Sequence, residues 1–400
     1  MAKNILFIDD EPEIGNLLLE IFEDNKLYNL FFTSDPGELF SVLDKNEIYV
    51  VFADLHMPEK NGIELLELIR EKYPQTYRVL FSSNLERNLS AEASRAAHLT
   101  LLKPFDKRKI EDILKRIDIL TKYLSDTSLM AVINGMSELP TIPDTYVKLD
   151  KALSQEDMSL MKIAEIISQD ISFTTKILKI VNSSFFGLAK QISDPSQAVS
   201  FLGRNILKSL LLFHHLSVKY CINKDLHRYF EEMWNHGNKV GRFAKEIIRK
   251  TLGNEIEMMD DAYIAGLLHD IGKIVFMEIK DYPERVIELM KQENIRYSIA
   301  EKHLYGTSHA EVGAYFLALW GMPERIVEFV YNHKKAVEIN TAHFNFEIAV
   351  NIANLFADLP EFDFQNLRDI RLSATPKDWL EYYNKLKEES LQKNNNEKEF

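Results

Sequence analysis

The sequence predicts a doubly wound, five-stranded parallel α/β domain followed by an all-α domain. Near the N-terminus, short apolar runs end in acidic or polar side chains, and amphipathic helical runs follow them. From about residue 139 onward, helical periodicity continues with no convincing strand. Those two patterns set the fold class and divide the chain.

The first strand covers residues 4–8 and ends in the pair Asp9 and Asp10. Residues 49–52 are apolar on both faces, as in a central strand covered by helices on both sides. Asp54 follows at that strand's C-terminal end, where open α/β sheets place their sites. Residues 78–81 end in Ser82, and residues 99–102 end in Lys103 and Pro104. Helical runs are expected over 12–24, 62–72, 86–96 and 105–122. A lone acid after a strand is ordinarily a helix cap or a solvated loop residue. Asp54 has company: parallel strands put their C-terminal ends on one edge, so Asp9, Asp10, Asp54, Ser82 and Lys103 should converge. Carboxylates gathered in one crevice repel unless a cation sits among them, and a hard ion that keeps several waters fits Mg²⁺. Lys103 adds a positive group able to pair with Asp54 or with a phosphoryl oxygen.

Taken together, the acidic pair, Asp54 with Met57-Pro58 and Gly62, Ser82 and Lys103-Pro104 make residues 1–122 resemble the receiver domain of two-component response regulators. The resemblance implies phosphorylation of Asp54 by a sensor histidine kinase and Mg²⁺ held by Asp9, Asp10 and Asp54. It also implies a phosphoryl group bonded by Ser82 and balanced by Lys103. Many receivers carry Tyr or Phe three residues before the lysine as a switch aromatic; this chain has Thr100 there, which departs from the ordinary aromatic readout.

Bulk properties narrow the partners. The net charge is −13, with 46% hydrophobic and 27% charged residues. That balance argues against a surface built for DNA or anionic lipid. The single cysteine, Cys221, excludes an intrachain disulfide and fits a reducing cytoplasm. No apolar run reaches the roughly 20 residues a membrane helix needs, and the N-terminus enters a strand without a signal core.

After the first domain, residues 123–138 read as a helical connector that restarts at Ser125 and Asp126. Helical runs then cover 157–168 and 172–182, and another helix starts at Asp194-Pro195 and is broken by Gly203. Residues 206–216 are nearly all apolar and should be central. Histidines recur in this half: His236, one helical turn after Glu232; His269 followed by Asp270, Gly272 and Lys273; His309; and His333. Imidazole and carboxylate groups brought from separate helices are how helical bundles build metal sites.

The His269-Asp270 pair followed by Ile271-Gly272-Lys273 resembles the HD superfamily of metal-dependent phosphohydrolases. Residues 139–336 are similar to the HDOD family, the HD-related output domain. The carrying features are Leu139-Pro140 with Ile142-Pro143, Asp170 ahead of residues 176–183, residues 198–203, residues 306–314, and Trp320-Gly321-Met322-Pro323 followed by His333. The HDOD resemblance implies a helical signalling domain with a regulatory or binding role. The HD resemblance implies metal ligands at His236, His269 and Asp270 and a later Asp, where this chain has Asn354. Lys273, His309 and His333, with Glu232 as an accessory, match the larger set of the HD-GYP cyclic-dinucleotide phosphodiesterases, but the Gly-Tyr-Pro loop is absent and Lys334 replaces a second His.

The expected organisation is a receiver at 1–122, a connector at 123–138, an HDOD domain with a helical extension at 139–383, and a polar disordered tail at 384–400. The expected function is a phosphorelay response regulator in the cytoplasm, able to form a homodimer. Its output would be binding of a downstream protein or small-molecule ligand, without direct DNA binding. The alternative is a phosphohydrolase or cyclic-dinucleotide phosphodiesterase that uses a transition metal at the His cluster.

Overall fold

The computed structural model describes residues 2–23, 25–58, 60–82, 96–123, 127–134, 160–168, 171–181, 192–220, 224–277, 279, 281–334, 344–359, 375, 377–385 and 388. Several sequence readings lie outside this set: most of the helix at 86–96, the restart at Ser125-Asp126, residues 139–143, Asp170, Asn182-Ser183, Cys221 and nearly all of the tail. The chain divides into two compact units. One comprises Met1–Thr141 with Glu301–Thr307 and Tyr315–Met322, and the other Ile142–Ala300, Ser308–Ala314 and Pro323–Phe400.

The N-terminal unit is built on β1 Lys3–Ile8, α1 Pro12–Phe22, β2 Tyr28–Thr33, α2 Pro36–Lys45, β3 Ile48–Asp54, α3 Gly62–Lys72, β4 Tyr77–Ser82, β5 Leu99–Leu102 and α4 Lys107–Tyr123. The five strands are parallel in the order β2-β1-β3-β4-β5. This is the doubly wound sheet expected. Sequence reading did not locate β2 or α2. The edge strand β2 is only partly buried, so its apolar pattern is diluted. On one sheet face Phe7 stacks on Phe52 at 4.3 Å, with Phe81 5.7 Å from Phe7. On the other, Leu6, Ile8, Val51, Ala53 and Leu80 pack with Leu39, Leu43, Ile63, Leu66 and Ile69.

Local chemistry fixes where the helices begin. Pro12 opens α1, and Asp35 caps α2 by accepting from Gly37 N at 2.7 Å. Asn61 caps α3 by accepting from Glu64 N at 2.9 Å. The buried stripe Ile110, Ile113, Leu114, Ile117 and Leu120 seats α4 on the sheet, as its periodicity predicts. At the edge away from Asp54, Asp118 of α4 accepts from Lys3 Nζ (2.7 Å), Tyr28 Oη (2.7 Å) and Tyr49 Oη (2.9 Å). Burial, then the Asp118 charge and hydrogen bond, push the phenols of Tyr28 and Tyr49 up.

The helices that follow are α5 Thr127–Asn134, α6 Leu160–Ser168, α7 Ile171–Val181, α8 Pro195–Leu202, α9 Arg204–Tyr220, α10 Lys224–Leu252, α11 Ile256–Leu268, α12 Gly272–Phe276, α13 Tyr282–Glu293, α14 Tyr297–Tyr305, α15 His309–Leu319, α16 Glu324–Asn332 and α17 Phe346–Ala357. Among the described residues no strand follows β5. Asp194 caps α8 through Ser196 N, and Gly203, at φ +77°, ends it. Residues 206 and 207 and 210–214 of α9 are buried, which makes it central as its composition requires.

The second unit is organised around α10, which packs along α11 and α17. Contact with α11 is backbone to backbone. A Cβ at Gly237 would lie 2.5 Å from Leu267 O, and one at Gly241 would lie 2.5 Å from Tyr263 O. The two helices therefore run antiparallel, with the end of α11 level with residues 236 and 237.

Candidate functional sites

Asp54 is the last residue of β3 and is buried, with a relative exposure of 6%. Lys103 Nζ lies 2.6 Å from Asp54 Oδ1 and 2.8 Å from Asp9 Oδ2, so one ammonium bridges two carboxylates. Backbone amides complete the pairing: Glu11 N donates to Asp9 Oδ1 (3.0 Å) and His56 N to Asp54 Oδ2 (2.8 Å). Burial raises the Asp9 carboxyl despite Lys103, and the bonds to Asp54 and Asp9 raise the Lys103 ammonium against its own burial. Gly62 is required beside this site, because a Cβ there would sit 2.2 Å from Asp54 O.

The predicted convergence holds in part. Asp9, Asp54 and Lys103 meet, while Asp10 is exposed at the rim and Thr100 is exposed on β5. Ser82 ends β4 in register with Leu102, one residue before Lys103. Asp9, Asp10 and Asp54 do not form a tight three-ligand group; among the described residues, such groups occur only around Asp270. The candidate ligands at this edge are all oxygens, and two buried carboxylates, Asp9 and Asp54, face one ammonium. A hard dication fits that charge balance.

The second cluster draws on five places in the helical unit. His236 lies in α10, His269 and Asp270 directly after α11, and His309 at the first position of α15. His333 directly follows α16, and Asn354 lies in α17. A capping box sets the start of α15: Ser308 N and Oγ both donate to Glu311 Oε2, at 2.9 and 3.1 Å. Close approach of α12 to α15 then brings His309 to Asp270, because Gly272 leaves no room for a Cβ against His309 O.

Asp270 is the hub. His309 Nε2 lies 3.2 Å and His333 Nε2 3.4 Å from its Oδ1; His269 Nε2 lies 3.6 Å from its Oδ2. The ligand atoms form two overlapping triads, His236/His269/Asp270 and Asp270/His309/His333, each within 4.8 Å. His269 Nδ1 is 2.7 Å from Gly266 O, and His333 Nδ1 is 2.5 Å from Val330 O. A carbonyl only accepts, so both protons sit on Nδ1 and both Nε2 lone pairs face Asp270. His269 Nε2, His333 Nε2 and Asp270 Oδ1 are buried without a hydrogen-bond partner. Burial holds His269 well below its usual range and His333 down at about 4, so both are neutral near pH 7. Burial alone would raise the Asp270 carboxyl; the ammonium groups of Lys273 and Lys334 outweigh it and hold it well below the usual carboxylate range.

Neutral nitrogen lone pairs aimed at a carboxylate repel it unless a cation lies between them. The mixed nitrogen and oxygen set of the second triad fits a transition metal. The first triad fits less well. His236 Nε2 is 3.0 Å from Asn354 Oδ1, and with the amide oxygen accepting, that nitrogen carries the proton. Glu232 does not join the cluster, which corrects the expectation from its helical spacing. Its carboxylate is 65% exposed and lies 3.8 Å from Arg228. The reason is the end of α11: at residue 236 it is alongside, but one turn earlier it has stopped. Sequence reasoning gave Lys334 no role, and its ammonium lies 3.5 Å from Asp270 Oδ1.

Family models match the response regulator receiver domain over residues 5–115 and the HDOD domain over residues 139–336. The chain is a response regulator with an HDOD output domain. An uncharacterized protein of Treponema pallidum is 30% identical over 223 residues, which is 55% of this chain and 42% of that one. The transcriptional regulatory protein CpxR of Escherichia coli is 32% identical over 120 residues, 28% of this chain and 50% of that one. This receiver–HDOD chain thus spans about half the length of the curated relatives it matches, or less. The crystal structure of an HDOD domain protein from Geobacter sulfurreducens is 27% identical, with 63% of this chain and 80% of that one covered, at a TM-score of 0.44. Among the described residues, no helix is long and apolar enough to cross a membrane.

Proposed function

We propose that the chain is a phosphorelay regulator whose receiver takes a phosphoryl group on Asp54 from a sensor histidine kinase. In this reading the HDOD domain serves as a non-catalytic output that binds a protein or small-molecule partner. The observation that carries it is the single ammonium of Lys103 bridging Asp9 and Asp54 at the C-terminal edge of the sheet. Asp54 is the nucleophile, and Lys103 is placed to balance the charge that phosphorylation adds. Ser82, at the end of β4, would bond the phosphoryl oxygens. Asp9, Asp10 and Asp54 would hold Mg²⁺, which would screen the donor's phosphate from the carboxylates.

The test is incubation of the full chain with Mg²⁺ and acetyl phosphate. Wild type should gain one hydroxylamine-labile phosphoryl group, and Asp54→Asn none. Labelling that persists in Asp54→Asn would move the acceptor elsewhere. The modification is expected to act through the connector at 123–138 on exposure or self-association of the HDOD domain. Unchanged oligomeric state and unchanged hydrogen exchange over 123–336 on phosphorylation would remove that coupling.

A second reading is favoured by the neutral imidazoles around Asp270. The cluster holds a transition metal, either as a structural ion or as the centre of a phosphohydrolase under receiver control. A bound metal would supply Lewis acidity; Asp270, His309 and His333 would orient it. Asn354 supplies no negative charge where active HD enzymes have a carboxylate, which weighs against turnover. Metal analysis by mass spectrometry should find about one ion per wild-type chain after incubation with Mn²⁺ or Fe²⁺, and less in Asp270→Ala. Equal metal in the two would end this reading.

A further inference from the structure

Each oxygen of Asp270 faces a lysine. Lys273 Nζ lies 2.6 Å from Oδ2 and 5.1 Å from the centroid of the Tyr297 ring. Lys334 Nζ lies 3.5 Å from Oδ1, the oxygen nearest His309 and His333. The two are held differently. Lys273 stands on α12 three residues from Asp270, at direct hydrogen-bond distance and over an aromatic face. Lys334 follows the end of α16, sits beyond hydrogen-bond distance at its closest contact with Asp270, and keeps 30% of its side chain exposed. Its long aliphatic stem can carry the ammonium into water without unfolding anything.

We propose that Lys334 is a displaceable plug of the Asp270/His309/His333 triad, whose ammonium stands in for a divalent metal and must swing into solvent when one binds. This rests on the reading of the cluster as a metal centre and adds a control to it. His333 offers an inward lone pair and Asp270 a carboxylate oxygen with no hydrogen bond, both buried, so a positive charge is needed near Oδ1. Lys334 supplies that charge from the next position along the chain after His333. A dication and an ammonium cannot share one carboxylate oxygen without strong repulsion. Metal affinity therefore includes the cost of moving Lys334 away. Removing its charge removes that cost and leaves every ligand in place. Lys334 is thus a residue that sets how readily the site loads, separate from the residues that would ligate.

The test is a Co²⁺ titration of the full-length, EDTA-stripped chain, followed by visible d–d absorption. This signature separates histidine ligation from the all-oxygen site of the receiver. Lys334→Met keeps the apolar stem, and Lys334→Gln, of similar polarity without the charge, repeats the comparison should the first variant fold poorly. Both are expected to bind at least about tenfold more tightly than wild type. Lys291→Met, at an exposed position, should match wild type, and Asp270→Ala should lose the histidine-ligated band. A band that appears only once Lys334 is neutralised also supports the plug. Should wild type show the band, Asp270→Ala lose it, and neither Lys334 variant bind more tightly, the plug is wrong and the metal reading stands. Should no variant show a band that depends on Asp270, the metal reading fails and the plug falls with it.

Discussion

Gly272→Ala is expected to cost the helical unit roughly 3 kcal/mol, the upper end for overpacking a well-packed interior. The added Cβ would stand 1.9 Å from His309 O and 2.5 Å from Gly313 N. Both are backbone atoms, so no side chain can rotate away; α12 and α15 must separate. That movement also draws His309 from Asp270, so if the cluster holds a metal as proposed, the variant should bind it less tightly as well as lose stability. Gly253→Ala is the control. Gly253 has φ +83° with nothing within 4 Å of an added Cβ, so only the left-handed backbone penalty of about 1 kcal/mol applies. Denaturant midpoints followed by far-UV circular dichroism compare the two. If Gly272→Ala loses no more than Gly253→Ala, α12 and α15 are not in backbone contact.

Lys103→Met is the second large effect. In metal-free buffer it should destabilise the receiver by about 3 kcal/mol, toward the lower end for breaking a buried pair because the Lys103 side chain is 17% exposed. The loss arises from what is left behind: Asp9 and Asp54, both buried, facing each other with no counter-charge. Mg²⁺ should restore most of the loss, since a dication supplies more charge than the ammonium removed. The measurement is the receiver's unfolding midpoint with EDTA and with millimolar Mg²⁺, for wild type and variant. A variant as stable as wild type in EDTA would mean that Lys103 does not neutralise the pair. A variant that Mg²⁺ cannot rescue would mean that these carboxylates do not hold the ion.

Both effects depend on contacts of very different legibility. The strand-end residues Asp9, Asp54, Ser82 and Lys103 were readable because a parallel sheet places all its C-terminal strand ends on one edge, whatever the details of packing. Knowing the strands was enough to group those residues. Asp10 is exposed because adjacent residues at a strand end point opposite ways, and only one can face the crevice. The helical unit gives no comparable rule. His236, His269, His309 and His333 lie on or beside four helices, and periodicity states which face each occupies without stating which helices meet.

The sequence by itself determined the order of domains, the parallel sheet, the place of Asp54 at a strand's C-terminal end and the types of side chain available for a metal. These follow from local periodicity and from fixed features of β-sheet geometry. Tertiary structure alone decided membership of the second cluster. It excluded Glu232, because α11 ends one turn too early to cover it, and it tied His236 to Asn354. It also brought Lys334 to the one carboxylate that both triads share. Close backbone approach at Gly237, Gly241 and Gly272 set those distances, and such approach depends on residues far apart in the chain meeting within a few ångströms.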